Sequence, residues 1–84
     1  MTKEQKLPKW FNGEIYKNGG TVENPFSGES YELNALELSM YDFIIGAQMA
    51  FEGGFSNNKI ISDFHKALSW FRSNNSSAYM ALLD

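Results

Sequence analysis

The segment 34–54 constrains this chain more than any other part of it. Leu36, Met40, Phe43, Ile44, Ala47 and Phe51 recur at the three- and four-residue spacing of one helix face. Asn34 stands where an N-cap accepts from the free amides of a first turn, and Glu37 is placed to reach back as in a capping box. Gly53-Gly54 then ends the pattern as a C-cap does. A helix this long takes up much of an 84-residue chain, so the remaining elements must pack on it. Leu38, Tyr41 and Ile45 widen its apolar arc, which predicts packing on more than one side. Gly46 and Ala50, four apart, leave one flank where another backbone can come close.

Asn58 is placed to cap a second helix running to about Ser73, with Ile60, Ile61, Phe64, Ala67, Leu68 and Phe71 as its buried arc. The polar run 73–77 breaks it, and a short last helix over 78–83 is expected to return Tyr79, Leu82 and Leu83 to the core. Upstream, residues 10–16 are rich in strand formers and stop at Asn18-Gly19-Gly20, a turn composition. Residues 21–23 and 29–33 flank Asn24-Pro25-Phe26-Ser27-Gly28, where proline sets φ early and glycine closes the turn. Tyr31 and Leu33 alternate with Ser30 and Glu32, as in a strand with one buried face. The predicted fold is α+β: a small antiparallel β-meander of two or three strands, packed on two helices plus a short C-terminal helix. It forms one domain over 9–84, behind a flexible segment 1–8.

Composition narrows the chemistry. Without cysteine there are no disulfides, thiolate nucleophiles or cysteine zinc sites. The opening MTKEQKLPKW has no apolar stretch of signal-peptide length, so a cytoplasmic location is expected. Seven Phe, four Tyr and two Trp supply large side chains that help so short a chain offset its folding entropy. The seven basic residues lie at 3, 6, 9, 17, 59, 66 and 72, leaving 18–58 with only acidic charges at Glu23, Glu29, Glu32, Glu37, Asp42 and Glu52. A surface built from that stretch does not suit a phosphate backbone.

Asn24-Pro25-Phe26-Ser27-Gly28, Tyr31-Glu32-Leu33-Asn34-Ala35, Met40-Tyr41-Asp42-Phe43-Ile44, Ala67-Leu68-Ser69-Trp70-Phe71-Arg72 and Tyr79-Met80-Ala81-Leu82-Leu83-Asp84 together resemble a group of short proteins encoded by tailed bacteriophages, notably phages of marine bacteria. The resemblance spans roughly residues 20–84 and rests on structural motifs: a turn, a helix entry and an aromatic helix face. A proline that often stands near Ser76 or Ser77 in that pattern is absent here, leaving the start of the last helix open. The resemblance implies an accessory role in the cytoplasm of an infected bacterium. No activity, cofactor or catalytic residue comes with it.

Hydrolytic or proton-transfer chemistry needs a nucleophile with a base, paired carboxylates or a metal constellation. His65 is the single histidine, and Asp63, two residues away, points elsewhere on a helix; Glu37 and Asp42 diverge likewise. Gly19-Gly20 and Gly53-Gly54 lack the Lys-Ser/Thr signature of a phosphate loop. The chain is therefore expected to be non-enzymatic, with no cofactor, metal, small-molecule ligand or membrane contact. It is expected to bind a host or phage protein or to form a homodimer. The surface singled out is Tyr41 and Ile45 on the first helix with Trp70, a residue type common at interface centres. The alternative is single-stranded nucleic acid stacked on Trp10, Phe11 and Tyr16 with Lys9 and Lys17 beside them. Few basic residues and an acidic balance weigh against it.

Overall fold

A computed structural model of the chain describes residues 6–11, 13, 15–24 and 26–83. The elements run β1 (Gly20–Glu23), β2 (Ser30–Leu33), α1 (Ala35–Glu52), α2 (Asn58–Asn74) and α3 (Ser76–Leu82). β1 and β2 form a two-stranded antiparallel sheet with Gly20 opposite Leu33 and Val22 opposite Tyr31. This is the expected α+β arrangement with the smaller strand count. Leu33 is buried and Tyr31 half-buried, while Ser30 and Glu32 face solvent, as the alternation predicts.

Stretch 10–16 forms no strand among its described residues; Asn12 and Glu14 lie outside them. Its rings pack on α1 instead: Trp10, Phe11 and Phe43 sit pairwise 5.7–6.2 Å apart. The Tyr16 amide donates to Ser39 Oγ at 2.9 Å, and Ser39 Oγ donates onward to the Ala35 carbonyl at 2.7 Å. One buried hydroxyl thus ties an irregular strap to the first turns of α1, satisfying a backbone group that a third strand would otherwise pair. Of the segment expected to be flexible, Leu7 packs against the core and the Lys6 carbonyl accepts from Trp70 Nε1 at 2.8 Å. Residues 1–5 lie outside the described residues.

The hairpin turn is organised by Asn24. Its Oδ1 accepts from the Phe26 amide at 2.8 Å, and its Nδ2 donates to the Ala81 carbonyl at 3.0 Å, fastening the turn to α3. This combination of an Asx turn with a tertiary bond is the role sequence reasoning had divided between Pro25 and Gly28. Gly28 closes the turn through its amide on the Asn24 carbonyl, whereas Pro25 lies outside the described residues. Gly19 is required by space, since a Cβ there would collide with the Leu33 carbonyl oxygen.

α1 has the predicted capping box: Asn34 Oδ1 accepts from the Glu37 amide at 2.8 Å, and Glu37 Oε1 from the Asn34 amide at 3.0 Å. At its other end Gly54, with φ +88, lets the Gly54 and Phe55 amides reach the Phe51 and Ala50 carbonyls. α2 starts one residue earlier than predicted, on Asn57, whose Oδ1 accepts from Ile60. Asn75 both ends α2, through its amide on the Phe71 carbonyl, and caps α3, through Oδ1 on the Ala78 amide. The last helix therefore begins at Ser76, two residues before the predicted start.

Among the described residues the buried core is Leu33, Met40, Ile44, Ala47, Ala67, Phe71, Ala78 and Leu82. Only Phe71 of the aromatic side chains there is fully enclosed; Trp10, Phe11, Tyr31, Tyr41, Phe43, Phe64, Trp70 and Tyr79 form a half-buried rim. A small domain has too little interior to surround large rings on every side. The inward stripe of α2 also differs from the apolar pattern. Ile61 is exposed, while Asp63 is buried with its carboxylate 2.8 Å from Lys59 Nζ. The stripe Ile60, Asp63, Ala67 and Phe71 keeps helical spacing, but a charged residue occupies one inward position.

Candidate functional site

α1 and α2 pack against each other, and the loop joining them is short, so the end of α1 lies beside the start of α2. Between them runs a groove of about 320 Å³ lined by Asp42, Phe43, Gly46, Ala47, Ala50 and Ile60. Its depth comes from residue size. Gly46 has no side chain, a Cβ built there would meet nothing within 4 Å, and Ala47 and Ala50 add only methyls. Phe43 is shared, lining the groove while its ring packs on Trp10 and Phe11 of the strap. Ile60, expected in the core arc, is half-buried and lines the groove from α2. Asp42, exposed, is the only charged residue in the lining.

The groove has an apolar border. Met49, three residues beyond Gly46 and so its surface neighbour, is 66 % exposed. Phe55, whose amide is bonded to the Ala50 carbonyl, is 57 % exposed, and Ile61, next to Ile60, is 40 % exposed. Half of the exposed large apolar residues described in the structure thus lie between 49 and 61; Ile15, Phe26 and Met80 are elsewhere.

The three residues singled out from the sequence separate. Tyr41 is half-buried with its ring 6.4 Å from that of Phe71, and burial raises its phenol above the ordinary value of 10.0. It lies about 140° around the helix from Gly46. Trp70 is half-buried beside Phe71 and spends its indole N–H on the strap. Ile45 alone adjoins the groove flank, four residues before Met49 and so its neighbour on the helix surface. In the nucleic-acid alternative, Lys9 and Lys17 are exposed, but Trp10 and Phe11 have committed their rings to Phe43 rather than forming a free stacking ladder.

His65 is exposed, with its ring edge-on to Phe64. Among the described residues no group of three or more His, Asp or Glu is placed to hold a metal ion, and no helix is long and apolar enough to cross a membrane. No family model matches the chain, and no curated protein or solved structure matches it either. The site therefore rests on its geometry. Gly46 and Ala50 were legible as a close-approach flank; the parts of Ile60, Asp42 and Ser39 were not, because each depends on what a second element brings beside it.

Proposed function

We propose that this chain is a non-enzymatic protein-interaction module that seats an apolar segment of another polypeptide in the groove between α1 and α2. The observation that carries this reading is the open, small-residue floor at Gly46 and Ala50 bordered by exposed Met49, Phe55 and Ile61. Exposed apolar residues gathered at a concave surface are the usual basis of a binding site, whereas scattered ones need no explanation. The docking face accordingly moves from Tyr41 and Trp70 to the Gly46 flank, with Ile45 at its border. The likeness to short tailed-phage proteins supports an accessory role in an infected bacterial cytoplasm.

The test compares the tagged chain with its Gly46→Leu variant, which fills the groove from an exposed position, in capture experiments from nuclease-treated lysate of the natural host. Proteins held by the parent and lost with Gly46→Leu support the reading. Equal capture by both overturns it, and recovery that disappears after nuclease treatment favours the nucleic-acid alternative.

A further inference from the structure

We infer that the groove's occupant is a second copy of this chain, docked about a two-fold axis with the two α1 helices antiparallel and crossing at Gly46. The inference rests on the docking reading above and names its partner. A two-fold interface must be self-complementary, because the same patch serves both sides. The α1 flank meets that condition in shape. It offers a hole, the open space over Gly46, and a projection one turn away, the exposed Met49 side chain. In an antiparallel crossing at Gly46, each Met49 is carried toward the open flank of the other copy, and small residues let the backbones approach closely.

Charge points the same way. Asp42 and Ala50 mark the two ends of the groove, eight residues or about 12 Å apart along α1. Ile60 lies at the Ala50 end, and its neighbour Lys59 is two-thirds exposed. Reversing one copy brings its acidic end to the basic end of the other, so each Asp42 faces Lys59 of the second copy. Lys59 has three ammonium donors and its bond to Asp63 takes one, so it can bridge both carboxylates. A parallel arrangement would instead set Asp42 against Asp42. The pairing also accounts for the apolar border. A stable interface removes about 600–1,000 Å² from each partner. A crossing confined to the groove floor falls short of that, whereas including Ile45, Met49, Phe55 and Ile61 extends it across the helical corner.

Sedimentation or light scattering of the full chain from about 1 to 200 µM tests this, because small interfaces of this kind associate in the micromolar range. The expected result is a concentration-dependent dimer whose dissociation constant rises about tenfold or more with Gly46→Leu, and separately with Asp42→Lys, and which weakens with added salt. Asp42 is exposed, so the second variant reports on association even where the first disturbs folding. A monomer across the whole range assigns the groove to a foreign partner and overturns the inference, while the capture experiment still decides the docking reading. A dimer unchanged by both variants uses another face and overturns it equally.

Discussion

The two flanks of α1 carry similar apolar material and are treated differently. On one, Tyr41 closes over Phe71; on the other, Gly46 and Ala50 face an open groove. The open flank is itself half covered, since the strap reaches Ser39 and Phe43 while Gly46 remains exposed. Coverage of an apolar helix in a small domain therefore depends on where the rest of the chain runs. A flank left open is a property of the path and need not show as a more polar sequence.

The largest effect expected on this contrast comes from the closed side. Phe71→Ala removes the one fully buried ring, on which Tyr41 and Trp70 both lean, and should cost about 3–5 kcal/mol in urea unfolding. A loss of under about 1 kcal/mol would mean that this flank is no better packed than the groove. Next is the half-covered stretch. Trp10→Ala should cost about 1–2 kcal/mol, less than a core ring because Trp10 is only half-buried, and should speed amide exchange at Tyr16 as the strap loosens. Unchanged exchange would show that the Ser39 hydroxyl holds the strap unaided.

On the open flank the sign reverses. Gly46→Ala should stabilise the fold by about 0.5–1 kcal/mol, because alanine is the better helix former and its methyl meets nothing within 4 Å. A lower thermal midpoint would mean that the space over Gly46 is filled. The smallest effect is confined to alkaline pH. Burial raises the Tyr41 phenol above 10.0, so the folded chain keeps this proton where the unfolded chain releases it. Its contribution is fully present below pH 10 and is lost as pH climbs through the raised value. Thermal midpoints between about pH 8 and 11 should fall less steeply for Tyr41→Phe than for the parent. Parallel curves would show that Tyr41 is as open to water as a residue on the groove side.

Each element that needs only neighbours in the chain was readable from the residues. The capping box at Asn34 and Glu37, the glycine stop after Glu52 and the alternation in β2 are satisfied within a few residues of themselves, and each stands where the pattern placed it. Helix starts were read within one or two residues, because several asparagines and serines near 57–58 and 75–77 can each cap. Features that depend on long-range partners were not readable. Stretch 10–16 has strand composition, yet its amide at Tyr16 found Ser39, 23 residues away, and its rings found Phe43. Asp63 is charged and would be assigned to the surface by composition, but it sits on an inward stripe with Lys59 as partner.

The candidate site divides along the same line. That Gly46 and Ala50 would offer a low flank follows from their size and four-residue spacing, which helix geometry alone converts into a surface. That this flank became a groove, while that of Tyr41 closed, was decided by tertiary structure. Ile60 had to arrive beside Ala50, and the strap reached Phe43 without covering Gly46. The physical reason is that backbone hydrogen bonds and caps are local, whereas burial is a competition among all apolar surfaces for a limited interior, settled only when the whole chain is in place.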